Sequence, residues 1–113
     1  MLLAQKFHLA AKLFTSLGMI IIIIGCGVGK ESGALDGPAE VMAVYKANCV
    51  NCHGTELQGK IGPKTNLQEV GKRMSAADIT GQIERGGETM PPFKDRLTDE
   101  QIAGLAEWLA GKK

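Results

Sequence analysis

The chain has 113 residues, of which 15 are glycine and only five are aromatic (one Trp, one Tyr and three Phe). This length allows one small domain, and a domain of that size is often supported by a cofactor, a metal or a disulfide. The formal net charge of +1, without a basic run, gives nucleic-acid binding no support. The three cysteines are an odd number, so they cannot all pair within the chain.

Residues 1–25 differ in composition from the rest of the chain. Lys6 and Lys12 precede an apolar run that ends at Cys26. This order is typical of a secretory signal peptide, and the run is shorter than the roughly 20 apolar residues of a membrane span. Residues 23–26, Ile-Ile-Gly-Cys, resemble the lipobox of bacterial lipoproteins, which implies that residues 1–25 are removed and that Cys26 carries the lipid. There are two alternatives: an uncleaved signal anchor, and a plain signal peptide with an incidental cysteine.

The remaining chain divides into a tether and a domain. Residues 26–37 are rich in glycine and lack apolar periodicity, so they predict a flexible tether. The folded domain is expected at residues 38–113. Pro38 suits the first turn of a helix that Asp36 or Gly37 would cap.

Apolar spacing and capping signals predict an all-α domain with three or four short helices. Ser75 and Thr98 each open a capping box, and Gly86-Gly87 ends the helix that follows Ser75. The loops between these helices are long for so small a domain, so an apolar group of some size is expected among them. The apolar helix faces comprise Val41, Met42, Tyr45 and Cys49, then Ala76, Ile79 and Ile83, then Ile102, Leu105 and Leu109.

Residues 49–53, Cys-Val-Asn-Cys-His, have three chemical interpretations. A zinc site commonly has four Cys or His ligands, but export removes His8 and leaves His53 as the last histidine. A thioredoxin-like dithiol is expected in a βαβ context, which the sequence does not predict. Cys-x-x-Cys-His is also the recognition sequence for covalent haem attachment. Cys49 and Cys52, one helical turn apart, would reach the two vinyl-derived carbons, and His53 would ligate the iron. We therefore predict one covalently bound haem c.

The second axial ligand is expected to be a methionine. Met42 lies on the apolar face of the first helix, and Met74 precedes a capping box, where a hydrophobic residue often packs as a staple. Met90 instead lies in a loop between Gly87 and the rigid Pro91-Pro92 pair. His/Met ligation raises the reduction potential and leaves no open iron position, so Met90 indicates electron transfer rather than oxygen or peroxide chemistry.

Taken together, residues 38–113 resemble a class I cytochrome c, with CVNCH and MPPF in the expected order. With the lipobox, the chain is similar to the small lipid-anchored cytochromes c of Gram-positive bacteria. The resemblance implies a small cytochrome c fold in which the first and last helices cross beside one haem, with Tyr45, Leu105 and Trp108 at that side of the pocket. It also implies that the Pro63 carbonyl accepts a hydrogen bond from His53 Nδ1 and that Leu67 packs on the haem.

The implied function is monohaem electron transport on the outer face of the cytoplasmic membrane, without enzymatic activity. Its implied partners are the membrane, through the lipid, and quinol–cytochrome c reductase and cytochrome c oxidase, which a monomer would meet transiently. Export would remove two of the 13 basic residues and none of the 12 acidic residues, so a lysine ring for docking is not expected. The alternatives are a haem sensor or enzyme in which Met90 is displaced, and a fixed electron-donor subunit of a larger oxidoreductase.

Overall fold

The structure is a computed structural model that describes residues 33–113. This range contains four α-helices, two 3₁₀ turns and no strand, which confirms the expected all-α fold. None of its helices has the length and apolar character that a membrane crossing requires. The predicted signal peptide, Cys26 and the tether up to residue 32 lie outside the described residues. The helices are α1 (Ala39–Asn48), α2 (Val50–His53), α3 (Ala76–Arg85) and α4 (Asp99–Ala110), and the turns are Pro63–Thr65 and Val70–Lys72.

Capping explains where helices α3 and α4 begin. At α3, the Ser75 hydroxyl accepts from the Asp78 N–H, and the Asp78 carboxylate accepts from the Ser75 N–H. Thr98 and Gln101 form the same reciprocal pair at α4, so both predicted capping boxes are confirmed.

Helix α1 begins differently from the prediction. Its N-cap is Pro38, whose carbonyl accepts from the Met42 N–H at 2.9 Å, and no side chain caps the helix. The expected cap at Asp36 or Gly37 is therefore wrong. The Asp36 carboxylate bonds elsewhere, because it accepts from the indole Nε1 of Trp108 at 3.3 Å and pairs with Lys112.

Helix α4 packs against both α1 and α3, and this contact forms the core. A Cβ built on Gly104 would lie 3.0 Å from Val41 Cγ2, so glycine permits the close approach of α1 and α4. The Tyr45 and Trp108 rings meet edge to face, with centroids 5.2 Å apart. The buried apolar residues are Val41, Met42, Tyr45, Leu57, Val70, Ile79, Ile83, Phe93, Ile102, Leu105, Ala106 and Leu109.

The segment just before α1 also contacts the core. Ala34 and Leu35 pack against it, and a Cβ on Gly37 would lie 2.8 Å from the Trp108 ring. Residues 34–37, predicted as the end of a flexible tether, therefore lie against α1 and α4.

Candidate haem site

A cavity of about 330 Å³ lies among the helices and brings the predicted site residues together. Its wall includes Cys49, Cys52, His53 and Met90. Pro63 and Trp108 do not line it, and the Trp108 ring instead contacts the Tyr45 ring edge to face. The apolar remainder of the wall comprises Tyr45, Ile61, Leu67, Val70, Met74, Ile79, Ile83, Pro91, Phe93, Leu105 and Leu109.

Cys49 lies at the junction of α1 and α2, and Cys52 lies within α2. Cys49 ends α1, and its carbonyl accepts from the Cys52 and His53 N–H groups at 3.2 and 3.0 Å. This helical turn places the two free thiols on the cavity wall, where each is half-buried. Burial, with a smaller effect from Cys52, raises the pKa of the Cys49 thiol to about 11. Cys49 is therefore a neutral thiol at neutral pH.

The His53 ring is held through one nitrogen. Nδ1 lies 2.7 Å from the carbonyl oxygen of Thr65, and because a carbonyl only accepts, Nδ1 carries the proton. The lone pair is then on Nε2, which is free to ligate a metal. The acceptor predicted from the resemblance, the Pro63 carbonyl, is wrong: Pro63 opens a 3₁₀ turn, and its carbonyl accepts from the Asn66 N–H at 3.2 Å.

The loop after His53 folds back onto the motif. The Cys52 and His53 carbonyls accept from the Lys60 and Gly59 N–H groups, both at 2.8 Å. Leu57 has a left-handed φ of 58° but is 1% exposed, so its burial offsets the backbone strain. Its carbonyl accepts from the Leu67 N–H at 2.8 Å, which brings Leu67 to the cavity wall.

Met90 reaches the same cavity on a loop that is held by hydrogen bonds on both sides of Met90, and we call it the clamped loop. The Met90 carbonyl accepts from the Gly87 N–H at 2.9 Å, and the Gln82 side chain donates to the Gly86 carbonyl at 2.8 Å. On the far side of the prolines, Phe93 is 4% exposed and its N–H donates to the Ile83 carbonyl at 3.0 Å. The backbone is therefore held by hydrogen bonds both before and after Met90.

Sequence reasoning missed several residues of the wall. Met74, which the sequence predicts as a local staple, lines the cavity, and so do Val70 and Arg73. Phe93 stood in the MPPF sequence, so its position beside Met90 was a usable signal. Nothing local in the sequence indicated the other three, since only the tertiary fold brings them to the cavity.

Charges of both signs surround the cavity. Lys64, Arg73 and Glu88 line it, and Lys64 Nζ lies 3.9 Å from Glu88 Oε2 with both side chains at least 90% exposed. Lys72 pairs with Glu69 nearby along the chain. Ile61, which also lines the cavity, is 57% exposed.

The residues present fit a covalently attached haem. The cavity wall offers two thiols, an imidazole whose Nε2 is free and a thioether, within an otherwise largely apolar lining. Cysteine attachment with His and Met as axial ligands is the arrangement of cytochromes c. An all-α domain with this donor set around one cavity defines the class of c-type cytochromes.

Comparison with known proteins identifies the family. Residues 36–109 match the family model described as "Cytochrome C oxidase, cbb3-type, subunit III". The chain is 34% identical to cytochrome c-551 of Bacillus subtilis (strain 168), over 87% of this chain and 89% of that protein. It is 34% identical to cytochrome c-550 of the same strain, over 74% of this chain and 67% of that protein. A cytochrome c6 of Nostoc sp. is 38% identical over 61% of this chain and 65% of that protein. No solved structure matches the chain.

The chain therefore belongs to the class I c-type cytochromes. It binds one covalently attached haem c and functions in electron transfer, not as an enzyme.

Proposed function

We propose that this cytochrome is exported and carries single electrons from quinol–cytochrome c reductase to cytochrome c oxidase on the outer face of the cytoplasmic membrane. We assign Cys49 and Cys52 as the attachment residues and His53 and Met90 as the axial ligands. The observation that carries this assignment is that all four side chains line one cavity, although Met90 lies in a separate loop, far from the motif in sequence.

Each residue has a defined task at this site. The bound haem supplies an iron that exchanges one electron between its ferric and ferrous states. Thr65 holds the Nδ1 proton of His53, which orients the ring and makes Nε2 a stronger ligand. The clamped loop holds the Met90 thioether in place. Because neither ligand has to move when the iron changes charge, these contacts favour rapid electron transfer.

The clamp on Met90 also favours a carrier over a sensor. In a sensor or enzyme, Met90 would leave the iron, and the small molecule would bind at the vacated axial position. Here the loop is held by the Gly87–Met90 and Ile83–Phe93 backbone bonds and by the buried Phe93 ring. With its backbone held in this way, Met90 could leave the iron only by rotation of its side chain, without help from movement of the loop.

Membrane attachment is proposed through Cys26. It is supported by the lipobox-like residues 23–26 and by the apolar run before them. A lipid anchor would keep the domain near its partners at a raised effective concentration. Intact mass of the membrane-extracted protein should show a diacylglyceryl-modified chain beginning at Cys26. A Cys26→Ser protein that stays membrane-bound would indicate an uncleaved signal anchor instead.

A second candidate is a fixed electron-donor subunit of a larger complex. The matching family model is named for an oxidase subunit, and this observation favours the candidate. Against it, the chain covers 89% of cytochrome c-551, a relative whose name refers to no larger complex. Purification in mild detergent separates the two: a mobile carrier elutes alone, whereas a subunit co-purifies with its complex at fixed stoichiometry.

Electron transfer to an oxidase tests the proposed function directly. The reduced protein, mixed in air with membranes that contain a cytochrome c oxidase, should be oxidised faster than in buffer. Cyanide, which inhibits the oxidase, should abolish the difference. A reductive titration should take up one electron per chain. Oxidation at the buffer rate, with or without cyanide, would contradict the proposal.

A further inference from the structure

Three consecutive carbonyls at the end of the haem motif each accept a short hydrogen bond. The Cys52 and His53 carbonyls accept from the backbone of Lys60 and Gly59, as described above. The third, the Gly54 carbonyl, accepts from the Tyr45 hydroxyl at 2.8 Å. This is the one bond of the three that a side chain makes, so a single substitution can remove it.

Gly54 directly follows His53 and is the joint between the end of α2 and the next loop. Its φ of 85° lies in the left-handed region, and it ends α2 without a side chain of its own. The other donor to its carbonyl is the Leu57 N–H, at a longer distance of 3.3 Å. The Gly54 N–H also donates to the Val50 carbonyl at 2.8 Å, so the Tyr45 hydroxyl is the side-chain restraint on a joint that is otherwise held by backbone bonds.

The Tyr45 side chain is itself held rigidly. It is 0% exposed, and its ring meets the Trp108 ring edge to face. Burial raises the pKa of the phenol, so the hydroxyl stays a neutral donor across the whole working pH range. The donor is thus fixed by α1 and α4, elements that are separate from the loop that it restrains.

We infer that Tyr45 is a positioning residue for the axial histidine, in addition to packing in the cavity wall. Its hydroxyl fixes the backbone behind His53, while the Thr65 carbonyl fixes the imidazole at Nδ1. The two contacts together set the orientation of the imidazole plane. This inference rests on the proposed role of His53 as an axial ligand.

Tyr45→Phe separates positioning from packing, because phenylalanine keeps the ring and removes only the hydroxyl. The matched control is Ile102→Val, which trims a core residue of α4 that is 1% exposed and does not line the cavity. Both variants are prepared as haem-loaded protein, and both should lose some global stability. Only Tyr45→Phe should alter the site.

Two measurements report on the site. The paramagnetic proton shifts of the ferric haem methyl groups depend on the orientation of the axial ligands, and they should move in Tyr45→Phe and coincide with wild type in Ile102→Val. Native-state hydrogen exchange of the Gly59 and Lys60 amides should accelerate by roughly fivefold to tenfold in Tyr45→Phe, beyond any global change, as expected for one lost hydrogen bond.

The outcomes distinguish the inference from the proposed function. Methyl shifts that stay at wild-type positions in Tyr45→Phe, or that move equally in Ile102→Val, would overturn the positioning role while leaving His53 as a ligand. A wild-type protein without the methyl shifts of a low-spin haem would overturn the axial assignment, and the inference with it.

Discussion

Met74 and Met90 both line the haem cavity, but the chain holds them differently. The Met74 N–H donates to the Val70 carbonyl at 2.9 Å, which ties Met74 to the 3₁₀ turn before α3. Met90 instead follows a glycine pair and precedes Pro91, in a loop clamped at both ends. Two thioethers in one cavity allow the axial ligand to be tested by comparing matched variants.

Replacing Met90 with alanine should remove the Met–Fe(III) charge-transfer band of the oxidised protein and lower its reduction potential. The physical reason is that the sulfur ligand, which favours the ferrous state, is lost. Absorption spectra and a redox titration measure both effects. Met74→Leu, which nearly conserves volume, should keep the band. If Met74→Leu loses the band and Met90→Ala retains it, the ligand is Met74.

At the level of elements, the Met90 loop depends on the conformation of Gly86. This residue ends α3 with a φ of 70°, and a Cβ built on it would lie 2.4 Å from the Met90 carbonyl oxygen. Left-handed backbone and close approach both require glycine here. The end of α3 therefore sets where the loop that carries Met90 begins.

The variant Gly86→Ala should lower the free energy of unfolding by at least about 1 kcal/mol, because a left-handed alanine is strained and its Cβ meets the loop backbone. The Met–Fe(III) band should weaken with it. Gly33→Ala is the control, since nothing lies within 4 Å of a Cβ at Gly33. Denaturant unfolding and the oxidised spectrum measure both effects. A Gly86→Ala protein as stable as Gly33→Ala, with its full band, would refute this dependence.

A second element-level feature is the contact of Asp36 with α4. Lys112 and Trp108, the main causes, lower the pKa of the Asp36 carboxyl below its ordinary value of 3.8. A carboxyl with a lowered pKa stabilises the fold above its unfolded-state pKa, and that contribution is lost as the pH falls through the folded-state pKa. The Asp36 side chain is 56% exposed and the Lys112 side chain 17% exposed, so solvent screens the pair at its carboxylate side and its contribution is small.

Exchanging Asp36 for Asn should therefore lower the free energy of unfolding by less than about 1 kcal/mol near neutral pH. The difference from wild type should shrink as the pH falls below 3.8 and vanish once the wild-type carboxyl is protonated. Denaturant unfolding of both proteins across this pH range measures the difference. A difference that is constant with pH would show that Asp36 acts by packing and not by charge.

Local signals explain which elements could be predicted. The capping boxes at Ser75 and Thr98 act within four residues, so the sequence predicts them well. The acceptor for His53 depends on how a loop with left-handed Leu57 and Gly62 folds back, and a two-residue change in that path exchanges Pro63 for Thr65. The same holds for Met74, whose place in the cavity depends on contacts distant in sequence.

At the scale of the whole molecule, the charges at and near the cavity are of both signs, and residues 33–113 form no lysine ring around it. Of the cations there, Lys64 pairs with Glu88 and Lys72 with Glu69. The Arg73 guanidinium donates to the Asn66 carbonyl at 3.0 Å. Exposed Ile61 lies among these groups. Mixed charges of this kind give little long-range attraction for a charged partner.

Electron transfer to the oxidase should consequently respond weakly to salt. Raising ionic strength from about 0.01 M to about 0.1 M shortens the Debye length from about 30 Å to about 10 Å. Over that range the second-order rate constant should change by less than about tenfold, below what strong electrostatic steering produces. Stopped-flow oxidation of a tether-free domain by solubilised oxidase measures it. A steep fall with salt would indicate a charged docking surface.

The assignment of one haem held by Cys49, Cys52, His53 and Met90 is most directly tested by optical spectra of the purified protein in both redox states. The reduced protein should show the sharp α band of a low-spin c-type haem, and the oxidised protein the Met–Fe(III) charge-transfer band. A covalently attached haem should also stay with the chain when the protein is denatured and extracted. Loss of the haem bands after this treatment, or a high-spin ferric spectrum, would contradict the assignment.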